Sequence, residues 1–284
     1  MNKRAAYFLL APTMFLFLLV IVAPIVLVSR LSFFRTDYVT TAWVGWENYK
    51  HLLTDKSFFQ SFSNAGFYIL VITSTILLVS YLLASGIYEM GKRLQSALIF
   101  ALYAPTLASG IISAMMWKWM FTRNGLINYL TGLIGIPEVP WFAIGFTARL
   151  VVCIVVIATN LGGYVLIFLA NMLAVPKELF DQAAVDGASR RQAKLYIMFP
   201  QMSGTLILVS LLCLLSAAQL WETVMWLTNG GPGGQSATPV YDAYLMGFSY
   251  GMHGMAAAKS VIIMIAIAGI SILKRRIEKT IAHE

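Results

Sequence analysis

Residues 177–200 read KELFDQAAVDGASRRQAKLYIMFP, a charged stretch set between two long apolar runs. The chain around it is 59% hydrophobic and 11% charged, so a segment this polar must leave the environment that holds its neighbours. It also carries helix punctuation. Gly187 suits the left-handed position that ends a helix. Ser189 suits the N-cap of the next helix, and Gln192 three residues on completes a capping box. The stretch predicts helix, sharp turn, helix, lying on one face of a membrane and offered to a partner outside the chain.

Outward from it, six apolar runs read as membrane spans: Tyr7–Val28, Ala65–Met90, Ala97–Phe121, Phe146–Asn171, Gly204–Trp226 and Met255–Leu273. The first follows Lys3 and Arg4, as a signal peptide does. It is too long for such a peptide, holds Pro12 and Pro24, and lacks a clear small-residue cleavage site, so it reads as a retained span. Six spans leave both termini on one side. That side carries Lys3, Arg4, Lys92, Arg93, Lys177, Arg190, Arg191, Lys194, Lys274, Arg275, Arg276 and Lys279. The opposite loops carry Arg30, Arg35, Lys50, Lys56 and Arg123, with Lys118, Arg149 and Lys259 at or inside span ends. Twelve against five places the termini and residues 177–200 in the cytoplasm. The expected architecture is an all-α polytopic membrane protein, one transmembrane domain over residues 1–284.

The longest outer loop, Arg30–Ser63, is rich in aromatics: Trp43, Trp46, Tyr49, Phe58, Phe59 and Phe62. It reads as an interfacial belt, or else as a docking surface or a short amphipathic helix on the membrane. Thr122–Gly145 and Leu227–Gly247 carry the turn signals Asn124-Gly125, Ile136-Pro137 and Asn229-Gly230-Gly231-Pro232-Gly233-Gly234.

Several chemistries are excluded. The net charge of +8 reports topology and not nucleic acid, because no basic stripe interleaved with aromatics stands free of the apolar runs. Cys153 and Cys213 fall inside apolar runs and read as small core residues. No GxxxxGK[ST] exists; the glycine run at 230–234 is followed by Gln235-Ser236 with no lysine, so ATP is not hydrolysed by that route. His51, His253 and His283 are scattered and give no zinc site. No apolar span pairs a serine with a histidine, which leaves His253, near the outer end of the last span, as the candidate base for a membrane hydrolase. The chain reads as a non-enzyme with no cofactor of its own, and a membrane enzyme or a scaffold stands as the distant alternative.

The cytoplasmic segment resembles the EAA loop of bacterial ABC-type importer permeases, here Asp181-Gln182-Ala183-Ala184-Val185-Asp186-Gly187-Ala188 with the exit Phe199-Pro200. Two positions depart from that pattern: Asp181 stands for the glutamate and Gln182 for the first alanine. Trp43-Val44-Gly45-Trp46-Glu47-Asn48-Tyr49 is similar to the VGLENY stretch of carbohydrate-importer permeases. Gly125-Leu126-Ile127-Asn128 with Ile136-Pro137 resembles their second outer loop, and Leu227-Thr228-Asn229-Gly230-Gly231-Pro232 their LTNGGP turn. Four motifs in order cover nearly the whole chain, most like the GGP-turn subunit of the maltose-type permease pair.

The resemblance implies a type I importer in the bacterial inner membrane. Its parts are two permease subunits, two cytoplasmic ATPases that hold ATP and Mg, and an extracytoplasmic solute-binding protein. The helix pair would seat in a groove of the ATPase through Glu178, Asp181, Gln182, Ala183, Ala184, Asp186, Gly187, Ala188, Ser189, Arg190 and Arg191. An ordinary amphipathic interfacial helix accounts for the charges but not for the Gly-Ala-Ser break.

Polar groups inside spans are candidates for function. Glu222 and Lys259 fall near the outer ends of antiparallel spans and are expected at one depth. They read either as a structural ion pair or as a site at which Lys259 favours an acidic or phosphorylated cargo. The resemblance places substrate contacts on Cys213, Ser216, Ala217 and Leu220, flanked by Gln219 and Thr223, and on Asn160, Gly162, Gly163 and Tyr164. Trp221 or Tyr164 can stack on a sugar ring. Core packing is the competing reading for each of them.

Overall fold

Asp55 starts the longest helix of the protein. Its carboxylate accepts the backbone N–H of Ser57 at 2.9 Å and the Ser57 hydroxyl at 2.6 Å, capping the helix Lys56–Tyr88. Along that helix Tyr68, Ile72, Ile76, Ser80 and Ala84 recur every four residues and are all buried, one stripe on one face. The helix Gly145–Ala174 buries a matching stripe through Ala148, Val151, Val152, Val155, Gly162, Val165, Phe168, Leu169 and Met172. Asn171 donates to the hydroxyl of Thr205, a polar tie from that helix to Ser203–Ala218.

The computed structural model describes residues 3–36 and 39–281, with side chains over 10–36 and 39–272. The basic side chains counted at Lys3, Arg4, Lys274, Arg275, Arg276 and Lys279, and His283, lie outside these. The protein is mostly helical. Among the described residues four helices are long and apolar enough to cross a membrane: Leu10–Leu31, Lys56–Tyr88, Gly145–Ala174 and His253–Ile272.

One stretch read as a span is a broken helix, and a second break falls just before another. Lys92–Leu107 and Gly110–Met120 meet at 99°, and Arg190–Gln201 and Ser203–Ala218 at 61°. The first break has a cause in the sequence. Pro105 begins a one-turn 3-10 segment, Ala104–Leu107, and Ser109 is extended before Gly110 restarts the helix. The helix Ser203–Ala218 also stops short of Trp226. Gln219 ends it, Leu220 and Trp221 are not helical, and Glu222–Leu227 resumes. No glycine or proline marks that stop. A tertiary bond supports it: the buried hydroxyl of Thr238 donates to the carbonyl of Leu220, which the break leaves free.

The chain divides into two compact units. One holds the residues up to Phe59 with Pro239–Ile272, and the other holds Gln60–Thr238 with the stretch from Leu273 on. In the first, the stretch read as the longest outer loop folds into an antiparallel ribbon, Phe34–Thr36 with Thr41–Trp43, and a helix, Glu47–Thr54. Asn48 closes it by donating to the carbonyls of Ser32 (2.8 Å) and Phe34 (2.9 Å). Phe33 packs against Trp43, Trp46 and Tyr49, while Trp43 and Trp46 stay mostly exposed. The aromatics therefore serve partly as a local core and partly as a surface.

Candidate functional site

The polar segment folds as its punctuation predicts. The helix Lys177–Val185 ends in a Schellman motif. The N–H of Ala188 reaches the carbonyl of Ala183 at 2.9 Å and that of Gly187 reaches Ala184 at 3.1 Å, with Gly187 at φ +79°. Ser189 then caps Arg190–Ala193, its hydroxyl accepting from the Gln192 N–H while the Gln192 side chain accepts the Ser189 N–H at 2.8 Å. The corner is thus fixed by its own backbone and needs no partner to form.

Its side chains point away from the rest of the chain. Glu178, Asp181, Gln182, Ala184, Asp186, Ser189, Arg190 and Arg191 are exposed, Ala183 and Ala188 half-buried, and Val185 is 88% exposed at the tip. Among the described residues none of Asp181, Asp186, Arg190 and Arg191 forms an ion pair. The segment is anchored one turn later. Lys194 Nζ lies 2.9 Å from Glu89 Oε1 and 3.4 Å from the Ser85 carbonyl, at the end of the helix Lys56–Tyr88. A cation suits that end, where the last carbonyls are unpaired. Phe199 packs edge-on against Tyr81 of the same helix at 5.4 Å.

The break between Leu107 and Gly110 and the stop at Gln219–Trp221 line one cavity of about 320 Å³. Asn160, Ser216, Gln219, Leu220, Trp221 and Glu222 of the expected path line it, with Thr223. Thr106, Ser113 and Thr159 join them, polar residues that the sequence reading missed. The signal for the first two was the Pro105–Gly110 punctuation, which breaks a helix where polar groups can face a cavity. Thr106 donates to the Thr159 carbonyl at 2.8 Å, so the break is bonded to the neighbouring helix. Glu222 sits against the start of Gly110–Met120: a Cβ at Gly110 would lie 3.2 Å from its Oε2. Among the lining residues Glu222 carries the one charge.

Five expected contacts lie elsewhere. Cys213 and Ala217 are buried in helix packing. Tyr164 pairs with the Cys213 side chain. Gly162 is a packing glycine, since a Cβ there would meet the Leu102 carbonyl at 2.1 Å, and Gly163 faces the Tyr103 ring at 4.0 Å. These positions share the helices of the cavity but not its face.

Lys259 requires correction. Its side chain is 0% exposed, its ammonium lies 2.8 Å from Asp242 Oδ2, and the ring of Phe58 stands 5.6 Å away. The ion-pair reading is right in kind, but the partner is Asp242 and not Glu222. A lysine so enclosed and neutralised presents no charge to a cargo. Sequence missed Asp242 because it falls in a stretch read as loop; the helix Pro239–Tyr244 brings it to the lysine.

Two of the motifs read as outer are held by side-chain hydrogen bonds. Asn128 donates to the carbonyls of Arg123 and Val139 (both 3.1 Å) and accepts the Trp141 indole N–H at 2.9 Å, closing the second outer loop. The glycine-rich turn is held by Asn64, which donates to Gly234 and Ala237, and by Tyr68, which donates to Ser236. A buried asparagine holds each of the three loops read as outer from the sequence, through Asn48, Asn128 and Asn64.

No protein-family model matches the chain. It is 28% identical over 277 residues to the arabinooligosaccharides transport system permease protein AraP of Halalkalibacterium halodurans, covering 95% of this chain and 86% of that one. It is 26% identical over 281 residues to the trehalose/maltose transport system permease protein MalF of Thermococcus litoralis, covering 96% and 92%. Its fold is similar to a chain of a bacterial alginate ABC transporter solved in complex with an alginate pentasaccharide-bound periplasmic protein. That likeness has a TM-score of 0.84 at 20% identity, over 99% of this chain and 96% of that one. The resemblance carried by the four motifs is borne out: over nearly its whole length the chain is similar in sequence to permease proteins of carbohydrate transport systems.

Proposed function

We propose that the protein is one permease subunit of an ATP-driven, binding-protein-dependent sugar importer in the bacterial inner membrane. In this reading it forms one six-span transmembrane domain with both termini and residues 177–200 in the cytoplasm. A second, homologous permease subunit completes the pathway. Two separate ATPases hold ATP and Mg, so this chain carries no cofactor, and an extracytoplasmic solute-binding protein delivers cargo to the outer loops.

The observation that carries the reading is the 177–200 corner. It is rigid by its own caps, exposed, unpaired in its charges, and fastened at its base to a long helix through Lys194. A partner that seats Glu178, Asp181, Gln182, Ala183, Ala184 and Asp186 through Arg191 can therefore move the corner as a body. The motion has a physical route. The helix Lys56–Tyr88 has 33 residues, about 50 Å of rise. Its far end holds the glycine-rich turn through Asn64 and Tyr68. Closure of the ATPases would thus reach the glycine-rich turn through one rigid element.

The cavity at the Leu107–Gly110 break and the Gln219–Trp221 stop is the proposed substrate path, with Asn160, Ser216, Gln219, Glu222 and Trp221 offering hydrogen bonds and an aromatic face to a sugar. The named relatives, transporters of arabinooligosaccharides and trehalose/maltose, support a sugar or oligosaccharide cargo. The lining charge is a carboxylate and Lys259 is committed to Asp242, which favours a neutral sugar. The acidic or phosphorylated alternative keeps the fold likeness to a transporter of the acidic polysaccharide alginate.

The test is co-expression with the neighbouring reading frames. Wild-type chain should copurify with an ATPase and support ATP-driven uptake, and Gly187→Asp should abolish uptake. If no ATPase copurifies, or the variant transports normally, the importer reading fails. The ligand retained by the cognate binding protein decides the cargo.

A further inference from the structure

Arg149 lies one turn inside the helix Gly145–Ala174 and has no counter-ion among the described residues. Its guanidinium stands 4.9 Å from the Phe67 ring centroid, and its Nη1 makes a long 3.4 Å contact with Asn64 Oδ1. Its Nε is buried and finds no hydrogen-bond partner among the described residues. No carboxylate among them lies within ion-pair distance of it. Asn64 has little left to give: its amide N–H groups hold Gly234 and Ala237, and its Oδ1 also receives Gln60.

A guanidinium does not lose its proton at any accessible pH. Near the end of an apolar helix such a cation gains from an anion at the membrane surface, and no described residue of this chain supplies one. The surroundings say what kind. Phe146, one turn before Arg149, packs on Phe67 at 6.3 Å and is 53% exposed, and Leu70, one turn after Phe67, is 70% exposed. The arginine opens onto an apolar, aromatic-edged flank, the character of a membrane at head-group depth.

We propose that Arg149 binds the phosphodiester of a membrane phospholipid, with Phe67 beneath the guanidinium and the acyl chains along Leu70 and Phe146. This rests on the reading of the chain as a membrane permease, whose orientation places the start of this helix at the outer face. Phosphate matches the guanidinium fork in a bidentate pair. A soluble anion would meet the same cation but would leave the apolar flank uncovered.

The experiment is native mass spectrometry of the full-length chain with its copurifying subunits, titrated with dioleoylphosphatidylglycerol. Wild type should retain one lipid more tightly than Arg149→Met by about tenfold or more, the range of a charge-assisted bond. Arg149→Lys should fall between, and a diacylglycerol without phosphate should not be retained at the site. Equal retention by Arg149→Met overturns the proposal. So does displacement of the lipid by millimolar inorganic phosphate, which would make this a soluble-anion site. So does rescue of Arg149→Glu by a reciprocal charge change on the second permease subunit, which would make the partner a protein carboxylate. If Arg149→Met does not assemble, Arg149→Lys carries the test, and unchanged retention counts against the proposal. Absence of a copurifying ATPase would sink the importer reading while leaving the lipid titration readable.

Discussion

The ammonium of Lys259 lies 2.8 Å from Asp242 Oδ2 and is closed off from solvent, so the one fully buried lysine of the described residues is neutralised within its own unit. Breaking such a pair on one side strands a charge, while replacing both sides removes the cost with the charge. Asp242→Asn should destabilise the protein by about 3–5 kcal/mol. Asp242→Asn with Lys259→Met should recover most of that. Thermal unfolding in detergent reads both. A double variant no more stable than the single one contradicts the ion-pair account.

Lys194 and Glu89 present the opposite case. Their side chains are 28% and 45% exposed, and a pair in that setting contributes about 0–1 kcal/mol. Lys194→Ala should therefore barely move the melting temperature, yet it cuts the anchor of the 177–200 corner and should lower uptake. Exchange of the two charges, Lys194→Glu with Glu89→Lys, should restore transport. Normal uptake in the single variant would show that force does not pass here.

At Gly187 the difficulty is conformational and not spatial. A Cβ there meets nothing within 4 Å, but φ is +79°. Gly187→Ala should cost about 1–2 kcal/mol in the corner, and Ser189→Ala about 1 kcal/mol through the lost cap. Both should raise amide exchange across residues 183–193 ahead of any change elsewhere.

Two adjacent glycines should differ sharply. A methyl at Gly162 would lie 2.1 Å from the Leu102 carbonyl, whereas one at Gly163 would lie 4.0 Å from the Tyr103 ring. Gly162→Ala should cost at least about 1–3 kcal/mol by overpacking, and Gly163→Ala close to nothing. Similar melting temperatures for the two would refute the close approach of these helices.

Hydrogen bonds from Ser57 hold the Asp55 carboxyl below the usual carboxylate range. A depressed folded-state pKa stabilises above the unfolded value, and the gain is lost as pH falls through the folded one. The helix Lys56–Tyr88 should thus fray at its start below about pH 4. Asp55→Asn should remove that acid dependence while keeping the cap.

The 177–200 corner was legible in the sequence because its determinants are local: Gly187, Ser189 and Gln192 fix the backbone within a few residues. The apolar runs were legible for the same reason. The cavity was half legible. Pro105 and Gly110 are visible helix breakers, but the stop at Gln219 has no local cause, and only Thr238, eighteen residues on, supports the freed carbonyl of Leu220.

The sequence by itself determined the long apolar helices, the corner and the kinship, since caps, span lengths and motif order are properties of neighbouring residues. Tertiary structure alone decided which side chains meet. It gave Lys259 to Asp242 and Glu222 to the Gly110 helix start, and it spent Gly162 on packing. It also left Arg149 without an anion among the described residues. The physical reason is that a charge is neutralised by whatever lies within about 4 Å, and chain order does not encode that distance.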